Sequence, residues 1–189
     1  MKKYLSAFII YLILILVDGG LTFYNTPDLS REGNPLVVYF NFGWGALITI
    51  NLIVICAIFF ACHFTFNKYE TVIVDVPNTR AYISQLFYNR PDKFVWTFYK
   101  LPKNWKPFWA CVCYIVYFAG CAAAVIRDLE WLAVTFNFNM NIYDGFRNEY
   151  FFGRFDIAVG LVVALVSSFV WLKNEYKKSK KLITDYSKN

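Results

Sequence analysis

The sequence is short of charge and of the side chains that do most enzymatic work. Charged residues are 17% of its 189 residues, and histidine occurs once, at His63. A soluble domain of this length carries about 25% charged and about 45–50% apolar residues; here 58% are hydrophobic. The chain has no H-E-x-x-H, no G-x-S-x-G and no glycine-rich phosphate loop, so the zinc-protease, serine-hydrolase and nucleotide-binding signatures are excluded. His63 has no recognisable serine or cysteine nucleophile to serve as a base. No helix-turn-helix, zinc-finger or RNA-binding motif accompanies the net charge of +6, and nucleic acid is not an expected partner. There is no N-x-[ST] sequon and no prenylation signal. The five cysteines, Cys56, Cys62, Cys111, Cys113 and Cys121, are odd in number and lie in apolar runs, which argues against a disulfide framework. A zinc or copper site needs about four converging ligands. Cys62 and His63 match Cys111 and Cys113 in depth, but two residues apart on a helix point to different faces. No metal and no cofactor is expected.

What the chain does have is long apolar blocks. A bilayer core takes roughly 20 residues of helix, three blocks reach that length, and a fourth does so if one acid is tolerated inside. The reading is an all-α polytopic membrane protein, a four-transmembrane-helix bundle forming one membrane domain over residues 1–172, with spans at about 4–24, 44–66, 107–126 and 156–172. Met1-Lys2-Lys3 and the apolar run Leu5–Val17 look like a signal peptide, yet the run passes into Asp18-Gly19-Gly20 with no A-x-A-like cleavage site. This reads as an uncleaved first span. The second block, Leu36–Phe66, is 31 residues long, about 46 Å as a single helix. Either it is one long tilted helix, or it breaks at Asn41-Phe42-Gly43-Trp44-Gly45. In the second case Asn34 and Pro35 open a short outer helix before the span proper begins at Trp44.

Charge placement sets the expected orientation. Of the 19 lysines and arginines, 15 fall in segments on the side of the termini, against 5 of the 13 acids, a balance of +10 facing −4. By the positive-inside rule both termini are cytoplasmic, in the plasma (inner) membrane. Residues 67–106 form the largest cytoplasmic segment, with amphipathic helices between the second and third spans. Asn78 caps one in which Tyr82 and Leu86, and Ile83 and Phe87, stack, and Arg90-Pro91-Asp92 ends it. Phe94 to Tyr99, bracketed by Lys93 and Lys100, is either an interfacial helix on the inner leaflet or a connector packed under the bundle. Residues 173–189 form a basic cytoplasmic tail, a stop-transfer anchor or a binding element. The bilayer is the expected partner, with anionic lipids at the cytoplasmic face.

Polar groups gather toward the outer leaflet: Asp18 in the first span, Glu32 in the loop after it, Asn51 in the second span, Arg127 and Asp128 at the end of the third, and Arg154 and Asp156 at the start of the fourth. An ionisable group in a membrane costs at least about 2.5–3.5 kcal/mol and needs a partner or a role. Two readings stand. Asp18 is a ligand- or proton-carrying acid in a polar cavity, or it pairs structurally with Arg127 or Arg154. Small residues are spaced for helix packing, Gly120 and Ala124 in the third span and Gly160, Ala164 and Ser168 in the fourth, so close contact is expected along both stripes.

Asp18-x-x-x-Thr22 followed by Glu32-Gly33-Asn34-Pro35-Leu36 resembles an element of small prokaryotic multi-span membrane proteins of unknown function, in which an acid and a threonine end one span and E-x-N-P opens the next. The likeness covers the first quarter of the chain. It implies a membrane protein with a shared outer-face element, and no activity. The function expected from the residues is a non-enzymatic scaffold, sensor or pore-like subunit of a membrane assembly, a homo-oligomer or a complex with another membrane protein. Two alternatives remain: a small oligomeric transporter or channel with an outer polar cavity around Asp18, and a membrane-embedded enzyme using Asp18 and Glu32 on a lipid or peptide at the outer face.

Overall fold

A computed structural model describes residues 2–30, 37, 40, 42–151 and 154–187, without the side chains of Phe146 and Phe151. The described residues are helical, with no strand among them: α1 (Lys3–Asn25), α2 (Trp44–His63) continuing as a π-helical turn (Phe64–Lys68), α3 (Thr79–Tyr88), a 3-10 stretch (Phe94–Phe98), α4 (Trp105–Thr135), α5 (Asn141–Phe151) and α6 (Phe155–Tyr186). Four of these, α1, α2 with its π-helical turn, α4 and α6, are long and apolar enough to cross a membrane. Their outward side chains are apolar: Leu165 is 74% exposed, Phe60 67% and Leu16 65%. The chain thus has a broad apolar belt that it does not cover itself.

The helices alternate in direction as short connections require. Tyr4 packs against Phe59 and His63 near the start of α1, and Phe23 packs against Trp44 near its end, so α2 is antiparallel to α1. The helix α4 runs parallel to α1. The Tyr117 hydroxyl donates to the Ala7 carbonyl at 3.0 Å, and the Asn25 amide donates to the Thr135 hydroxyl at 2.9 Å. Tyr11, Ile58, Cys62 and Tyr117 form the core between α1, α2 and α4. Gly160 of α6 faces Ala119 and Ala123 of α4, and a second core holds Tyr82, Leu86, Phe87, Ala110, Cys111 and Trp171. All five cysteines are free.

Some boundaries follow the sequence reading and others differ from it. Trp44 begins α2 directly after Gly43, while the short outer helix opened by Asn34 and Pro35, Asn41 and Glu32 lie outside the described residues. The helix α4 runs nine residues beyond the 107–126 span, through Arg127, Asp128 and Glu130 to Thr135. Charged residues mark where apolar surroundings end, not where a helix ends, and Arg, Leu, Glu and Ala are good helix formers. The same reason carries α6 through the basic residues to Tyr186, where a separate tail from 173 was expected. Asn78 caps α3 by accepting from the Ala81 N–H at 2.9 Å, and Asn89 in the left-handed region ends it. The aromatic run after Lys93 is a 3-10 stretch rather than an amphipathic α-helix.

The end that carries the termini has a clamp. Residues 69–78 run extended alongside the last half of α6. The Ser179 hydroxyl accepts from the Val74 N–H at 2.9 Å and donates to the Val74 carbonyl at 3.2 Å. Tyr176 donates to the Pro77 carbonyl at 3.0 Å, and Tyr82 donates to the Val72 carbonyl at 3.1 Å. Extended backbone left without a sheet has orphan polar groups, and these side chains satisfy them.

Candidate functional site

At the opposite end, α1, α4 and α6 bring ionisable groups together. Asp18 lies on the last third of α1, where its carboxylate meets the Arg127 guanidinium of α4 at 2.8 Å. The Asp18 side chain is 14% exposed and that of Arg127 34%, so the pair is largely shielded on the acid's side and partly open on the base's. Arg154, just before α6, donates from Nε and a terminal nitrogen to the two Asp156 oxygens at 3.1 and 3.0 Å. Asp156 sits in the first turn of α6, where the helix N-terminus favours negative charge. Of the two arginines the sequence offered to Asp18, the structure pairs it with Arg127, while Arg154 bonds Asp156.

Asp128 stands apart. Only 7% of it is exposed, its Oδ1 is buried without a hydrogen-bond partner, and the neighbouring Arg127 Nε is likewise buried and unpaired. Asp18 and Arg127 are the charged groups whose fields reach it. Asn51 is exposed on α2 and has no hydrogen bond to this cluster among the described residues.

One group at this end went unread in the sequence. Glu130 accepts from the Tyr143 hydroxyl and faces Arg147 at 3.6 Å, while Arg147 reaches Asp144 at 3.4 Å. Burial, helped by the Glu130 carboxylate, pushes the Tyr143 hydroxyl above its ordinary value. These contacts dock α5 against α4. The signal lies in the Glu130 to Arg147 stretch, which a third span ending at 126 leaves outside the helix.

The small residues divide between two neighbours. A Cβ on Gly160 would lie 3.6 Å from the Ala119 carbonyl oxygen and 3.8 Å from the Ala123 Cβ. A Cβ on Gly120 would instead meet the Tyr11 ring of α1 at 3.4 Å. Ala124 is buried, whereas Ala164 and Ser168 are only half-buried and Ser167 takes the interior position on α6. Four-residue steps advance 400°, so a stripe with that spacing drifts about 40° per step on a helix of 3.6 residues per turn. By the second step, at Ser168, it has left the packed face.

The arrangement can do two things chemically. Its ion pairs tie α1 to α4 and fix the start of α6, and its third acid can hold a proton. The chain matches no family model, no curated protein and no solved structure.

Proposed function

We propose that this chain crosses the plasma (inner) membrane four times with both termini in the cytoplasm, and serves without catalysis as a scaffold, sensor or pore-like subunit of a membrane assembly. The observation that carries the reading is the continuity of α6. Its first half packs on α4 through Gly160, and its second half is clamped through Ser179 and Tyr176 to residues 69–78. A stiff helix held at both places passes a displacement among the spans to the cytoplasmic end. The +10 against −4 charge balance supports the orientation. The exposed Val95, Phe98, Tyr99 and Leu101, with Lys93, Lys100, Lys103 and Lys106 beside them, fit an anionic inner-leaflet surface. The outward Leu161, Leu165 and Phe169 of α6 fit contact with lipid or with another copy.

Native mass measurement of the chain extracted with its surrounding lipid tests the assembly. Several copies, or a fixed ratio with a second membrane protein, are expected, and a lone chain overturns the reading. Reporter fusions at Asn78 and Asn139 are expected on opposite sides, and equal sidedness overturns four spans. The transporter or channel alternative draws on one observation, the unpartnered buried Asp128. Solute flux in proteoliposomes that Asp18→Asn abolishes, with folded yield intact, would favour it. The enzyme alternative needs Asp18 close to Glu32, which lies outside the described residues.

A further inference from the structure

Among the described residues, Asp128 is the acid of the cluster with no bonded partner. The charged groups whose fields reach it are Asp18 of α1 and the neighbouring Arg127; the other ionisable groups at this end include Tyr11 of α1, Glu130 of α4, Tyr143, Asp144 and Arg147 of α5, and Arg154 and Asp156 around the start of α6. Their bonds are already allotted. Arg127 holds Asp18, Arg154 holds Asp156, and Glu130 takes Tyr143 and Arg147. Among the described residues of this cluster, Asp18, Asp128 and Asp156 are three carboxylates set against the guanidiniums of Arg127 and Arg154, and Asp128 is left over with Oδ1 buried and touching no donor. An ionised carboxylate in that position is a buried charge with no partner and a like charge, Asp18, nearby; a group so placed neutralises itself instead. Neighbours on a helix do not face each other, so Arg127 does not turn to Asp128 while it bridges to α1.

We propose that Asp128 is a proton-binding site, a carboxylic acid held neutral inside the cluster that exchanges its proton with water on the side where Arg127 is open. The inference goes beyond the scaffold reading and stands or falls separately from it. Release converts the Asp128 carboxylic acid to a carboxylate and gives the proton to water. The new carboxylate then competes for the Arg127 and Arg154 guanidiniums, and the buried Arg127 Nε–H is a spare donor. The proton on Asp128 therefore keeps Arg127 committed to Asp18 and α1 tied to α4. Its loss loosens that tie, so the cluster reads rising pH as a weakening of the α1–α4 contact.

The test uses the full chain in lipid nanodiscs with ¹³C-labelled aspartate carboxyls and infrared spectroscopy. At neutral pH the wild type is expected to show the carbonyl stretch of a protonated aspartic acid, shifted by exchange into D₂O and lost on raising the pH. Asp128→Asn should remove the band. A neutral-pH spectrum without the band overturns the proposal, as does a band that survives Asp128→Asn. Should Asp128→Asn fail to accumulate, Asp128→Glu takes its place: the aspartate band must vanish and an unlabelled glutamic acid band must replace it. An aspartate band persisting in Asp128→Glu overturns the proposal equally.

Discussion

The two ends of this protein are fastened by different chemistry. At the end with the termini, one serine and two tyrosines bond the backbone of residues 69–78, using neutral donors and acceptors. At the opposite end, carboxylates and guanidiniums link α1 to α4, α5 to α4 and Arg154 to the first turn of α6. Neutral bonds to backbone carry no charge to strand when one partner is lost, and they ignore salt. A shielded ion pair does the reverse: its net worth is modest, but removing one member leaves the other desolvated and alone. The clamp end should therefore fail gradually under substitution, and the charged end abruptly and in a way that a second substitution can repair.

The largest expected effect is at Asp18. Asp18→Asn leaves Arg127 without its carboxylate. Breaking a fully buried pair costs about 3–5 kcal/mol; with Arg127 34% exposed, solvent recovers part of that, and about 2–3 kcal/mol is expected. Folded yield and thermal midpoint in detergent should drop, and Asp18→Asn with Arg127→Gln should recover most of the loss. Arg154→Gln in place of Arg127→Gln should recover nothing, because Arg154 is bonded to Asp156. Equal rescue by either arginine change would mean that the charged end acts as a diffuse cluster rather than as named pairs.

Next is the α4–α6 seam. Gly160→Ala should be tolerated, because a Cβ there makes ordinary contacts with Ala119 and Ala123. Gly160→Leu should cost about 2 kcal/mol by forcing the helices apart. Gly120→Leu should disturb a different contact, that of α4 with Tyr11 of α1. Gly19→Leu, with nothing within 4 Å of its Cβ, serves as the unaffected comparison. Thermal midpoints of the four variants separate the seam from a general cost of bulk; equal behaviour in Gly19→Leu and Gly160→Leu would remove it.

What the sequence made legible follows the strength of each signal. Apolar block length located all four long helices because a helix long and apolar enough to cross a membrane shows itself in hydropathy alone. Asn78 as a cap was legible because capping is local. The lengths of α4 and α6 were not, since a helix that continues past its apolar stretch keeps no hydropathy signal and Lys173 to Lys181 read as a tail. The burial of Glu175 and Ser179 depends on residues 69–78 lying against them, a contact about a hundred residues away in the chain. Charge in the cluster was legible, but its pairing was not: Arg127 and Arg154 are equivalent to Asp18 by depth and differ only in which way each helix face turns. Ser167 rather than Ser168 is a matter of 100° of helical rotation, which counting in fours conceals.

At the clamp end a smaller effect is expected. Ser179→Ala removes both bonds to Val74. The half-buried Val74 N–H and carbonyl then need water or a shifted backbone, a loss of about 1 kcal/mol. Ser179→Thr keeps the hydroxyl and should retain most of the stability. Hydrogen exchange across residues 72–77 should speed up in Ser179→Ala while the α1–α4 region is unchanged. The change should be equally large in low and high salt, because no charge is involved. A salt-dependent change would show that the clamp leans on its charged neighbours instead.

The smallest effect belongs to an exposed ion pair at that same end, and it tests whether charge or shielding separates the two. Lys180 meets the Asp75 carboxylate at 2.9 Å, a separation almost equal to that of Arg127 and Asp18. By distance alone the two pairs would matter alike. Their surroundings differ: the Lys180 side chain is 39% exposed and that of Asp75 79%, so water screens the attraction and solvates either partner when the other is removed. Lys180→Ala and Asp75→Asn should each leave the thermal midpoint within measuring error at moderate salt. Any loss at low salt should disappear as the Debye length shrinks toward about 8 Å at physiological ionic strength. The double substitution should match the singles, with no rescue to find because nothing was stranded. A loss comparable to that of Asp18→Asn, or a rescue on combining the two changes, would mean that residues 69–78 are held electrostatically. The contrast between the ends would then lie in the number of contacts and not in their kind.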